Sequence, residues 1–211
     1  MAVSIGDRTG TRAPGLDGLA ADGAFTWDDL QTMPEDRFRW ELVDGQLLVT
    51  PSPAGRHQGV VGELYLLLRL ACPGDLRVML SPYDWKLSAH TVFVPDLMVI
   101  RQADFDPGGP FTGVPLLVVE VRSPSTAATD RTLKRQQYEQ HGVPAYWLVD
   151  PGGPAGGHQR PSLTVLRLRD GGLRRGGRRR GRPGVRRRLP VPRHRRPGPI
   201  GGRRGRRLRY A

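Results

Sequence analysis

The chain has 211 residues, enough for one domain with appendages, and its 33 Lys and Arg against 20 Asp and Glu give a net charge of +13. The charge is divided along the chain: residues 1–170 carry 16 basic and all 20 acidic residues, a net of −4, whereas residues 171–211 carry 17 Arg and no Lys, Asp or Glu. No apolar run approaches the roughly 18 to 20 residues needed to span a bilayer, the opening MAVSIGDRTG lacks a signal peptide's apolar stretch, and the single Cys72 excludes an intrachain disulfide framework or a cysteine-cluster zinc site, so a soluble cytoplasmic protein without a membrane partner is expected.

Residues 1–24, rich in Gly, Ala, Asp and Thr and without periodicity, read as a disordered leader. Thr26 then announces a short helix as its N-cap, with Asp28 and Asp29 in the first turn, and Pro34 ends it. In RWELVDGQLLVTP two apolar-rich runs flank Asp44-Gly45, a dipeptide suited to the positive φ angles of a type I′ hairpin turn. Val60, Val61, Leu64, Leu67 and Leu68 mark one face of a helix over 57–71. Three strand-like runs follow, at 77–88, 91–100 and 115–121, and the third is apolar on both faces, as a central strand is. A helix over 129–142 ends at Gly142 before Pro144, and strands are predicted at 145–150 and 162–170. The order helix, three strands, helix, strand is an α/β arrangement whose second helix crosses over to a parallel strand.

Two carboxylates stand where a buried strand should carry none. Asp96 lies in VFVPDLMVI and Glu120 in LLVVEV, and burying an unpaired carboxylate costs several kcal/mol unless a cation or proton accompanies it. A shared divalent cation, Mg²⁺ or Mn²⁺, is one answer, since such ions take one or two carboxylates plus water and substrate phosphate oxygens. The alternative places either acid at a strand end in solvent or against an arginine, and Pro95 could mark such an edge. Arg122, two residues past Glu120, belongs to the same strand face by period-2 alternation. On the next helix Arg131, Lys134, Arg135 and Tyr138 fall at i, i+3, i+4 and i+7, a polar stripe that serves phosphate contact or faces solvent. His57, at the start of the first long helix, is a capping or phosphate-facing residue or, the preferred reading, polar surface, and GGPAGGH at 152–158 lacks the context of a phosphate loop and reads as a linker.

Taken in order, ELVDGQL, the helix opening near His57, VPDLMVI, VVEVRSPST and DRTLKRQQYEQHGVPAYWLVD resemble the Uma-type restriction endonuclease family of the PD-(D/E)XK nuclease superfamily, over residues 25–170. The resemblance implies a restriction-endonuclease-like domain that hydrolyses nucleic-acid phosphodiesters, DNA first among them, with a divalent metal. By position Pro95-Asp96 is the PD element and Glu120 the second acid, both metal ligands, while Glu41 matches an upstream acidic position. The superfamily's lysine is due two residues after the second acid, where this chain has Arg122, and Lys134 of the following helix is the substitute that the family pattern implies. Arg122, Arg131 and Arg135 then engage phosphates. Restriction-type enzymes often pair as homodimers to cut both strands, although no interface is legible here. The competing class is a noncatalytic nucleic-acid binder, a decayed nuclease fold with a basic tail.

That tail, residues 171–211, contains 17 Arg, 10 Gly and 5 Pro in 41 positions, too little apolar surface to offset the entropy of ordering. It reads as a disordered segment with salt-sensitive affinity for nucleic acid, as a solvated tail, or as a shifted reading of GC-rich codons, a composition that Arg, Gly and Pro codons produce together.

Overall fold

The structure, a computed structural model, describes residues 3–4, 24–33, 38–51, 55–123, 132–153 and 160–180. Most of the expected leader, the linker at 154–159, Arg131 and residues 181–211 lie outside the described residues.

Helix α1 (Trp27–Leu30) begins where the sequence places it. Thr26 and Asp29 form a reciprocal capping box, Thr26 Oγ1 accepting from Asp29 N and Asp29 Oδ2 accepting from Thr26 N at 2.7 Å. Strand β1 (Val3–Ser4) pairs with β3. Strands β2 (Phe38–Val43) and β3 (Gln46–Pro51) form the expected hairpin. Its turn puts Asp44 at φ 50° and Gly45 at φ 80°, the conformation that Asp-Gly tolerates best. Helix α2 (Gly55–Ala71) buries His57, Val61 and Leu68, whereas Leu67, expected on that face, is exposed beside Leu66 and Leu70.

Two expected strands are each divided, and the divisions shape the molecule. The run 77–88 becomes β4 (Leu76–Leu80) and β5 (Trp85–Lys86), which belong to different sheets. The run 91–100 becomes β6 (Val92–Phe93) and β7 (Leu97–Arg101), with Val94-Pro95-Asp96 as the crossing between sheets. Proline cannot donate to a ladder, so the chain leaves one sheet and enters the next at Pro95. Strand β8 (Leu117–Val121) is buried throughout. Helix α3 (Leu133–Gln140) ends on Gly142 at φ 72° and carries the chain to β9 (Ala145–Asp150), which runs parallel to β8. Strand β10 (Ser162–Arg169) then returns antiparallel on β9.

The chain does not lose its order at Gly171. A two-residue turn at Asp170 and Gly171, both at positive φ, leads into β11 (Gly172–Arg180) on the outer edge of β10, with Leu173 completely buried. The tail expected from residue 171 is therefore corrected: its first part is a strand. One sheet has the order β1-β3-β2-β6-β5 and the other β11-β10-β9-β8-β7-β4. Alternation along the strands sorts their side chains into layers. Leu97, Val99, Val119 and Val121 pack under α2, while Met98, Ile100 and Val118 face Val43, Trp85 and Phe93 of the other sheet together with Tyr138 of α3. Asp96 and Glu120 share the parity of Met98 and Val118, so both belong to the layer between the sheets.

Candidate functional site

The register of β7 on β8 pairs Leu97 with Val119. The ladder ends at this pair, with Asp96 the residue before it on one side and Glu120 the residue after it on the other. The backbone N–H of Val121 donates to Asp96 Oδ2 at 2.8 Å, fixing the first acid to the strand that carries the second. Both side chains are buried.

From the other sheet β2 contributes Glu41, whose parity with Val43 turns it into the same layer. Glu41 Oε1 accepts from Val94 N at 2.8 Å. Lys134 completes the group: its ammonium lies 2.9 Å from Glu41 Oε1 and 3.0 Å from Glu120 Oε1, with 1% of the residue exposed. One turn further along α3, Tyr138 donates its hydroxyl to Glu120 Oε1 at 2.9 Å. The ring of Tyr138 is held by Trp85, Phe93 and Tyr146 at centroid distances of 5.4, 5.5 and 5.0 Å. Burial first, then Glu120, Tyr146 and Glu41, push the Tyr138 hydroxyl well above the usual tyrosine range, so it stays a donor.

Asp96 is claimed from two sides. Arg39 Nη2 donates to Oδ1 at 2.9 Å and its Nη1 to Val94 O at 3.2 Å, while His57 Nε2 lies 3.0 Å from Oδ2. Burial alone would raise this carboxyl, but the His57 hydrogen bond, the Arg39 charge and the Val121 amide overcome it and hold its pKa at about 2. An ionised Asp96 can only accept, so His57 presents Nε2–H to it. The other ring nitrogen, Nδ1, is buried with no hydrogen-bond partner among the described residues. Burial disfavours the Arg39 charge, yet Asp96, Glu41 and Glu120 outweigh it and hold the guanidinium above its ordinary value. The acidic field reaches Asp84 too, whose carboxyl is raised by burial and by Glu41.

The structure thus brings together Asp96, Glu120, Glu41 and Lys134, and it separates the expected arginines from them. Arg122 turns to Asp150 at 2.7 Å, and Arg135 is held by Glu139 and by the carbonyl of Leu173 in β11. Arg131 lies outside the described residues. The polar stripe read on α3 is therefore two faces, Lys134 and Tyr138 buried within the layer and Arg135 turned outward. His57, read as surface, is buried against Asp96, and Arg39 carried no expectation at all. A signal existed for both. His57 falls in line with Val61, Leu64 and Leu68 on the apolar stripe of α2, and Arg39 stands two residues before Glu41 on one strand face.

Asp96 and Glu120 offer the hard oxygens that Mg²⁺ and Mn²⁺ prefer, ions that take one or two carboxylates and complete their shell with water and phosphate. Among the described residues no group of three or more His, Cys, Asp and Glu is arranged as a metal cage.

Two acids on adjoining strands, with a lysine from the following helix against the second, define a member of the PD-(D/E)XK-like nuclease superfamily. The chain belongs to the Uma2 family, described as "Putative restriction endonuclease", whose model matches residues 27–183. Among solved structures it is similar to a protein from Anabaena variabilis titled a "putative nuclease belonging to DUF820", at 21% identity and a TM-score of 0.58, with 80% of this chain and 89% of that one covered. This second likeness supports the fold. No curated protein matches.

Proposed function

We propose that the chain hydrolyses phosphodiester bonds in DNA with a divalent cation, Mg²⁺ or Mn²⁺, held by Asp96 and Glu120. The observation that carries the reading is the placement of these two buried carboxylates at the same end of the β7–β8 pair, Asp96 bound to the amide of Val121 beside Glu120, with Lys134 fixed between Glu120 and Glu41 of the opposite sheet. Such an ion supplies Lewis acidity to the phosphoryl oxygen and to the attacking water.

The protein's own groups do the rest. Lys134, buried and anchored by two carboxylates, orients Glu120 and adds a positive charge from within the layer to the field at the phosphoryl group. Tyr138 holds Glu120 Oε1 and so fixes the orientation of that carboxylate, while Glu41 positions Lys134 and would be a further candidate contact for the metal or its water. Arg122 spends one donor on Asp150 and keeps a third of its side chain exposed, which leaves its remaining donors for a phosphate. Arg135 has its donors engaged by Glu139 and Leu173 and contributes less to that contact.

The test is nicking of supercoiled plasmid by the full chain in Mg²⁺ or Mn²⁺, beside an EDTA control. Metal-dependent cleavage that is lost in Asp96→Asn and Glu120→Gln is the expected result. DNA binding without cleavage under every metal condition would instead support a noncatalytic binder built on a nuclease fold.

A further inference from the structure

The two proposed metal-binding acids do not face equivalent surroundings. Glu120 shares Oε1 with Lys134 and Tyr138, both of α3. At Asp96, Oδ2 is committed to the framework, to Val121 N at 2.8 Å and His57 Nε2 at 3.0 Å, and Oδ1 receives Arg39 of the opposite sheet at 2.9 Å. Oδ1 is therefore the oxygen that an incoming cation has to use. Its partner Arg39 keeps 15% of its side chain exposed, against 2% for Lys134, so of the two it is the one with a route to solvent.

Charge makes the conflict sharper. Three buried carboxylates, Glu41, Asp96 and Glu120, are accompanied within the layer by two basic side chains, Arg39 and Lys134. A guanidinium keeps its charge at any working pH, and Arg39 is tied to Asp96 through a direct hydrogen bond. A divalent ion at Oδ1 would stand within a few ångströms of that charge.

We propose that Arg39 is an internal counter-ion that competes with the divalent cation for Asp96, so that the metal gains Oδ1 only as the guanidinium leaves it. The inference rests on the metal-dependent reading above and adds a residue that sets how tightly the metal is held.

The experiment is titration of the full chain with Mn²⁺, following the loss of the free-ion electron paramagnetic resonance signal, for wild type, Arg39→Gln, Arg39→Lys and Asp96→Asn, each checked for folding by its thermal melt. Two unit charges about 4 Å apart at an effective dielectric of about 20 repel by an amount worth roughly a thousandfold in binding, and departure of the guanidinium relieves part of it, so Arg39→Gln should bind Mn²⁺ at least about tenfold tighter than wild type. Structural damage loosens a site and does not produce that gain. If Arg39→Gln does not fold, Arg39→Lys decides: its single charged tip on a flexible stem yields Oδ1 more readily, and it too must exceed wild type. Wild-type binding with no tightening in the folded variant overturns the competition while leaving the metal reading intact. Mn²⁺ uptake that persists unchanged in Asp96→Asn places the ion elsewhere and overturns it as well. Absence of uptake by wild type and variants alike removes the metal reading, and the competition with it.

Discussion

Lys134 illustrates why single residues in this layer are hard to test by activity alone. A buried ion pair that loses one partner leaves an uncompensated charge and costs about 3–5 kcal/mol, a large part of a typical domain's stability. Lys134 holds two carboxylates, so Lys134→Met strips the counter-charge from Glu41 and Glu120 together. Loss of cleavage in that variant would follow from a missing charge at the phosphate or from a partly unfolded chain. The two causes separate in a double variant. Adding Glu41→Gln to Lys134→Met removes one of the stranded carboxylates, and the amide can still accept from Val94 N. The double variant should therefore be more stable than Lys134→Met in urea denaturation, while cleavage stays lost in both. Additive destabilisation by the two substitutions would show that the acids are not coupled through Lys134.

At the scale of elements, β11 is the clearest departure from a reading by composition, and it carries a direct test. The strand has five arginines and three glycines in nine residues, and its anchor is Leu173, buried opposite Leu168. Burying one leucine is worth roughly 1.5–3 kcal/mol, and the ladder to β10 and the carbonyl that Arg135 uses would be lost as well. A chain ended at Asp170 should melt well below one ended at Arg180, and equal melting temperatures would make β11 dispensable. Composition hid this strand because a two-residue turn and one apolar side chain are enough for an edge strand already templated by β10. Elsewhere local chemistry spoke plainly. The Thr26 N-cap, the Asp44-Gly45 turn and the Gly142 terminus all appear as read, since each depends on a few adjacent residues. The carboxylates Asp96 and Glu120 were legible because a charge in an apolar strand requires a partner. What those partners are was not legible, because Arg39 and His57 reach Asp96 across 57 and 39 residues of sequence. The divided strands follow the same rule: apolar runs 77–88 and 91–100 report burial, and do not report which sheet does the burying.

For the whole molecule, the +13 charge is a property of one end. The family match runs to residue 183 and β11 to Arg180, and residues 1–180 hold 21 basic residues against 20 acidic, a net of +1. The remaining 12 arginines lie in residues 181–211, outside the described part of the chain. If the chain acts on DNA as proposed, a nearly neutral domain with an acid-lined layer supplies little general attraction for it, and nonspecific attraction is expected from the arginine run instead. Counterion release gives that attraction a signature: the logarithm of affinity falls with the logarithm of salt by about 0.9 for each phosphate neutralised. The full chain should therefore bind a DNA duplex with a steeper salt dependence than a chain ended at Arg180, measured by fluorescence anisotropy between low and moderate salt in EDTA. Metal-dependent nicking should survive the truncation, with a higher DNA requirement at moderate salt. Equal slopes for the two chains would mean that the terminal arginines neutralise no phosphate, and the net charge would then carry no information about the substrate.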